Sequence, residues 1–510
     1  MDVLRRSSTI QPSTMGTIPM NETLITNGTL VTYGDENQII SNGAVLIQDG
    51  RIAEIGQAAA LEMDHPTVER LDAAGQLVMP GNICAHTHFY GAFARGMAIP
   101  GAPPRDFPDI LERLWWQLDR ALTLEDVHYS ALVCLVDAIK HGTTTLIDHH
   151  ASPNAISGSL AQIARAVEMA GVRTGLCYEV SDRNGPQGAL DGISENVEML
   201  RRTSTGADSL LGATFGLHAS LSLSDETLAD CLAAAQEFNT GFHIHVAEHE
   251  ADEYDSLEKH GQRVVDRLAM AGILGPRSIV AHAVHVDTSE MLLLRDTGAW
   301  VTHQPRSNMN NAVGAADIEG MLRLGIPVCL GNDGFSNNMW AEWKTAYLLH
   351  KVAHRDPRRA NGMDIFQMAV TNNAGLAGIF WDTPVGVLAP GAAADIILVD
   401  YKPPTPLSAG NLPWHIIFGF ESSMVTATMV AGKLLMVDRE LLTLDEAAIT
   451  ARSRELAAAV WGRFEHISSH GHLPPPPPPP VEEEDEDLMM SEAFIDPADD
   501  DFMRVFEEEE

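Results

Sequence analysis

The 510-residue chain is short of basic side chains. It has 33 Lys and Arg against 70 Asp and Glu, for a net charge of −37. A nucleic-acid partner is not expected, because phosphate binding needs clustered Lys and Arg. Residues 481–510 hold fifteen acidic side chains and one Arg, so fourteen of those net charges belong to the last thirty residues. Cysteine is scarce as well. Cys84, Cys134, Cys177, Cys231 and Cys329 are scattered and include no Cys-x-x-Cys pair. That excludes a disulfide framework or a cysteine zinc site and reads as reduced thiols in a cytoplasmic protein. Long apolar runs are missing, so no membrane span is expected. No apolar stretch follows Arg5 and Arg6, so no signal peptide is expected either. Met20 offers an alternative start of translation.

Apolar residues make up 45% of the chain, enough for a sizeable core. Residues 1–21 lack periodicity and read as disordered. From 22 to 80, short alternating runs broken by Gly and Asn predict strands and turns, the first part of a small β-sandwich. Over 81–380 the pattern becomes strand–helix, repeated eight times. The predicted strands lie near 83–88, 143–148, 173–180, 210–218, 241–247, 278–285, 299–303 and 326–333. Among the helices between them, Thr123 caps one over 124–140 and Gly171 closes another over 159–170. Eight such units in about 290 residues predict an α/β fold of the (β/α)8, TIM-barrel type. Strand texture returns over 381–440, the second part of the sandwich, so that this domain is built from both chain ends. A helix follows within 441–470. Residues 471–510 read as a polyproline spacer, Pro474–Pro480, and an acidic disordered tail, which is a candidate docking peptide for an unknown protein.

Active sites of parallel barrels sit where strands end. The first predicted strand ends in His86-Thr87-His88, whose alternation puts both imidazoles on one face. The fifth ends in His243-Ile244-His245-Val246-Ala247-Glu248; His243 sits deeper and reads as a core histidine. The sixth carries His282, and the eighth ends in Asn332-Asp333-Gly334. A buried acid is costly unless paired or metal-bound, and an apolar core gains nothing from His or Asp at four strand ends. His86, His88, His245 and Asp333 are therefore the expected metal ligands. Glu248, His282 and Asp333 are the expected catalytic groups.

The His-x-His after Val78-Met79-Pro80-Gly81, the His245–Glu248 segment, His282 and Asp333-Gly334 resemble the amidohydrolase superfamily. Within it they are similar to the cytosine/guanine deaminase and chlorohydrolase branch, over about residues 22–470. Leu114–Leu122, Ile147–Pro153 and Arg306–Asn311 are similar to the SsnA group of aminohydrolases. Many relatives carry Thr before the last acid, where this chain has Asn332. The resemblance implies a homodimer and a substrate contact at His218. Two-metal members use a carboxylated Lys on a middle strand, but no Lys lies between Lys140 and Lys259. One divalent ion is therefore expected, Zn²⁺ by its donor set, although Fe²⁺ accepts the same donors.

Such an ion lowers the pKa of its water to about 7, supplying hydroxide for attack on an amino-bearing carbon. Asp333 takes the water's proton, His282 orients the water, and Glu248 passes a proton to a ring nitrogen or to the leaving amine. The expected activity is a metal-dependent aminohydrolase that releases ammonia from a nitrogen heterocycle. The alternatives are a chlorohydrolase, a cyclic amidase, or a scaffold without catalysis. Arg95, His150 and Asn308 join His218 as candidate substrate contacts. Arg183 is another cation for a carbonyl or carboxylate, and Trp115 and Trp116 offer flat faces either to a heterocycle or to helix packing.

Overall fold

The computed structural model describes residues 22–473 apart from 35, 205 and 207–209. The expected disordered N-terminus, the choice between Met1 and Met20, and the chain from Pro474 onward lie outside the described residues.

Strands β1 (Glu22–Val31), β2 (Ile39–Gln48), β3 (Arg51–Gln57), β4 (Glu69–Asp72) and β5 (Leu77–Pro80) form the first part of a mixed sheet. The barrel follows: β6 (Asn82–Thr87), β7 (Thr143–Asp148), β8 (Arg173–Leu176), β9 (Leu211–Ala213), β10 (Phe215–Ala219), β11 (Phe242–Val246), β12 (Ile279–His282), β13 (Trp300–His303) and β14 (Val328–Leu330). The chain then returns to the mixed sheet with β15 (Ile396–Val399), β16 (Val425–Val430), β17 (Lys433–Val437) and β18 (Glu440–Leu441).

The barrel strands pair in parallel as two arcs, β6-β7-β8-β9 and β10-β11-β12-β13-β14. Segments β9 and β10 are one barrel strand interrupted at Thr214, whose hydroxyl donates to Gly241 O at 2.9 Å. A parallel bridge between Thr87 and Asp333 closes the ring. There, the backbone N–H groups of Asn332 and Asp333 both donate to His86 O, at 3.0 and 3.1 Å. This approach requires Gly331, since a Cβ at that position would lie 2.8 Å from both His86 N and His86 O.

The helices begin and end where local chemistry directs. Thr123 and Asp126 form a reciprocal capping box at the start of Leu124–Lys140. Gly171, at φ 81°, ends Ser159–Ala170.

Both chain ends meet in one continuous sheet. β5 pairs with β1 in parallel and with β15 antiparallel, so hydrogen bonds run from β18 across to β3. The expected small domain from both ends is present. Its strands wrap a core that joins Ile25, Val45, Ile47 and Ile52 to Ile396, Leu398, Ala427 and Met429. Among the described residues, no helix is long and apolar enough to cross a membrane.

Candidate metal centre

Barrel strands bring the predicted residues to one end of the fold. His86 and Thr87 close β6, and His88 follows. The β6–β7 register is irregular between Cys84 and Thr87, the kind of local distortion that re-aims side chains at a strand end. At the ends of β11, β12 and β14 the backbone turns through left-handed conformations at Ala247 (φ 46°), His282 (φ 74°), Ala283 (φ 47°) and Asp333 (φ 56°). Each costs on the order of 1–2 kcal/mol for a residue with a Cβ, a strain that clusters at functional sites.

Each imidazole is anchored from behind. His88 Nδ1 faces His149 O at 2.5 Å, and His245 Nδ1 faces His218 O at 2.8 Å. A carbonyl only accepts, so in the neutral rings both Nδ1 atoms carry the proton and both Nε2 atoms are bare lone pairs. Yet the two Nε2 atoms lie 3.2 Å apart. Lone pairs repel at that distance unless a proton or a metal cation lies between them. Asp333 Oδ1 completes the cluster, 3.0 Å from His88 Nε2 and 3.5 Å from His86 Nε2. His86 Nε2 is buried and has no hydrogen-bond partner, while its Nδ1 meets His243 Nε2 at 2.9 Å.

Charge points the same way. Burial raises Asp333, but contacts with His86 and His88 hold its carboxyl well below the usual range. Burial also raises Glu179, yet His88, His245 and His218 bring it down to about 2. Glu248 goes upward, pushed first by burial and then by the Asp333 charge. Burial lowers His88, but the Asp333 and Glu179 carboxylates beside it raise it well above the usual imidazole range, so the cluster draws positive charge to its imidazole nitrogens. Imidazole nitrogens with carboxylate oxygen suit Zn²⁺. The cluster fits a divalent metal.

The remaining expected residues divide between cavity and support. A cavity of about 680 Å³ opens over the cluster, lined by Glu248, His282, His218 and Arg95 and walled by Trp115, Trp116 and Arg183. Glu248 Oε2 lies 3.4 Å from His282 Nε2, and Glu248 Oε1 accepts from Asn311 Nδ2 at 3.2 Å. Burial pushes His282 down to about 3 and His218 down to about 4, so both imidazoles are neutral.

Two expected substrate contacts are corrected. His150 is fully buried, does not line the cavity, and bonds Ser152 Oγ at 2.9 Å; strand alternation turns His149 inward in its place. Asn308 also lies behind the cavity wall, its side-chain amide 2.9 Å from His282 Nδ1. It sets the orientation of His282.

Three further groups went unrecognised in the sequence. His243, expected as a core histidine, backs His86. Glu179 follows β8 at 3% exposure, 3.3 Å from His88 Nδ1 and 3.6 Å from His149 Nδ1. The criterion that singled out Asp333, an acid inside an apolar strand end, applies equally to Cys177-Tyr178-Glu179-Val180. Asp119 is buried and paired with Arg183, whose guanidinium lies 5.4 Å from the Trp116 ring.

Comparison with known proteins agrees with this geometry. The amidohydrolase family model matches residues 77–435. The chain is 32% identical to a 5'-deoxyadenosine deaminase of Methanosarcina mazei, over 87% of this chain and 99% of the relative. It is 31% identical to a 5-methylthioadenosine/S-adenosylhomocysteine deaminase of Syntrophomonas wolfei, over 86% and 99%. The fold matches the crystal structure of a zinc-bound adenosine deaminase from Xanthomonas campestris, with a TM-score of 0.77 at 23% identity, over 86% of this chain and 98% of that one. It also matches an atrazine chlorohydrolase from Arthrobacter aurescens, with a TM-score of 0.73 at 20% identity, over 85% and 100%. With a family model spanning most of its length and a histidine–aspartate cluster that calls for a divalent cation, the chain belongs to the amidohydrolase family, as a metal-dependent hydrolase of carbon–nitrogen bonds.

Proposed function

We propose that the protein is an aminohydrolase that removes the exocyclic amine of an aminopurine-type heterocycle as ammonia. One divalent ion, Zn²⁺ by donor chemistry, is held by His86, His88, His245 and Asp333. The observation that carries the reading is the pair of facing Nε2 atoms, 3.2 Å apart in a cavity that also holds Glu248, whose carboxyl is pushed upward by burial and by the Asp333 charge. A single ion is supported by the lack of any Lys between Lys140 and Lys259.

When bound, the ion makes a coordinated water acidic enough to ionise near pH 7. Asp333 accepts the proton of the attacking water on a carboxylate that its neighbours keep ionised. His282, fixed by Asn308, presents Nε2 to that water and orients its attack. Glu248 gives its proton to the ring nitrogen beside the amino-bearing carbon, which becomes tetrahedral as the C–O bond forms. A proton then passes to the amine, the C–N bond breaks, and ammonia leaves behind a ring carbonyl. An amine needs that proton to leave; chloride does not. The acid at position 248 therefore favours deamination.

The cavity wall supports an uncharged substrate. Arg183 is neutralised by Asp119, which removes the net positive charge that would hold a free carboxylate. Arg183 Nε and Nη1 and Asp119 Oδ1 lack partners, so the pair retains both donor and acceptor capacity. Trp115 and Trp116 offer faces to a flat ring. The curated relatives' names support an adenosine-like base. The segments similar to the SsnA group support a member of that group with its own base preference. We further propose that the protein acts in the cytoplasm as a homodimer, and that its acidic tail serves for docking. Ammonia and chloride release across a panel of amino- and chloro-substituted purines, pterins and triazines tests the reading. Ammonia from at least one aminopurine-type base is expected; chloride release alone overturns it.

A further inference from the structure

The segment that follows β13 brings two further side chains to the centre. It forms the short helix Pro305–Asn310, with Asn311 as its cap. Pro305 presets the first turn, and the Asn311 N–H donates to Ser307 O at 2.9 Å, so the side chains of Ser307 and Asn311 share one helix face. Both line the catalytic cavity. Arg306 holds the helix in place. Its guanidinium pairs with the buried Glu342 and donates to Ser336 O at 2.6 Å, in the loop that follows Asp333.

Ser307 and Asn311 connect the two carboxyl groups of the proposed reaction. The Ser307 hydroxyl donates to Asp333 Oδ2 at 2.5 Å. Asn311 Nδ2 lies 3.3 Å from Ser307 Oγ and 3.2 Å from Glu248 Oε1. Asp333, as a metal ligand, is a carboxylate and only accepts. The single Ser307 hydroxyl proton therefore goes to Asp333, and toward Asn311 the Ser307 oxygen is an acceptor. That fixes the Asn311 amide with Nδ2 on this side, one N–H for Ser307 Oγ and the other for Glu248 Oε1. On its far side Asn311 Oδ1 accepts from Asn310 Nδ2 at 3.0 Å, as this orientation requires. In a protonated carboxyl the carbonyl oxygen is the better acceptor, so the acid proton of Glu248 belongs on Oε2. That oxygen lies 3.4 Å from His282 Nε2.

We propose that Ser307 and Asn311 are positioning residues: one directed chain of hydrogen bonds, from Asp333 through both side chains to Glu248 Oε1, locks the acid proton onto Glu248 Oε2 beside His282. The amide holds the acid's orientation and passes no proton through. The inference deepens the proposed reaction and rests on it for the use of this proton, whereas the proton's position is a property of the protein alone.

Neutron diffraction from deuterium-exchanged crystals of the zinc-loaded full chain tests that position directly. At about pH 5.5 a Glu raised well above its usual range keeps its proton. Deuterium is expected on Glu248 Oε2, with the two Asn311 amide deuterons aimed at Glu248 Oε1 and Ser307 Oγ. Deuterium on Oε1, none on either oxygen, or the Asn311 oxygen facing Glu248 overturns the proposal. A double-mutant cycle in ammonia release over the aminopurine panel tests the consequence. Asn311→Leu should lower kcat about 10- to 100-fold with zinc content unchanged. In the Glu248→Gln background, which has no acid proton to place, the same substitution should lower kcat less than about threefold. Equal losses in both backgrounds mean a packing role and overturn the proposal. If no member of the panel releases ammonia, or Asn311→Leu does not fold, the diffraction result still decides where the proton sits.

Discussion

Replacing Glu248 by Gln separates proton transfer from everything else the centre does. The side chains have the same shape, and Gln Oε1 still accepts from Asn311 Nδ2, the bond that places Glu248 at 3.2 Å. Metal content and fold should therefore be unchanged. What disappears is an acid whose pKa is pushed upward by burial and by the Asp333 charge. A positioned general acid contributes about 10²- to 10⁴-fold, which is about 2.7–5.4 kcal/mol of transition-state stabilisation. The expected result is a loss of that size in kcat/KM for ammonia release, with zinc content equal to that of the unaltered enzyme. Any chloride-bearing substrate should lose less than about tenfold, because its leaving group needs no proton. The sign of the pH effect follows from the raised pKa: the acid form persists to higher pH than in an ordinary Glu and is lost as pH rises through the Glu248 value. The unaltered enzyme should lose activity on that alkaline limb, and the Gln variant should lose the limb itself. A loss below about tenfold with metal intact, or an unchanged alkaline limb, refutes the role of Glu248.

Chelation should abolish turnover, with Zn²⁺ restoring it, and should lower the melting temperature. At 100 times the dissociation constant a bound ion contributes about 2.7 kcal/mol, and its removal takes away a cation facing Asp333 and Glu179. Asn308→Ala should leave metal content intact and lower kcat about 10- to 100-fold through a misoriented His282, rather than raise KM as a lost substrate contact would. Gly331→Ala forces a Cβ against the His86 backbone and should cost about 1–3 kcal/mol in denaturant unfolding, with weaker metal retention. Deleting residues 474–510 should leave kcat/KM unchanged; a loss of turnover would give the tail a part in catalysis.

Much of the centre was legible because barrel geometry turns sequence position into spatial position. Once eight strand–helix units are counted, His86, His88, His245, His282 and Asp333 fall at strand ends, and strand ends of a closed parallel barrel converge. The carbonyls behind His88 and His245 and the amide behind His282 were not legible, because each belongs to a neighbouring strand or loop whose depth depends on register. His150 and His149 show how fine that dependence is. One residue of alternation decides which imidazole faces the centre and which turns to Ser152. Glu179 was passed over because its apolar flanks read as an ordinary strand, although a buried acid there is as costly as Asp333.

The sequence by itself determined the repeating α/β pattern, the donors available to a metal, and the lack of a Lys for a bridging carbamate. These follow from periodicity and residue chemistry, which need no coordinates. Tertiary structure alone decided which nitrogen of each ring faces inward, that a second carboxylate, Glu179, lies beside the cluster, and that β5 is the strand through which the two chain ends pair. Each of these depends on contacts between segments far apart in the chain, where hydrogen bonding and burial are set by packing.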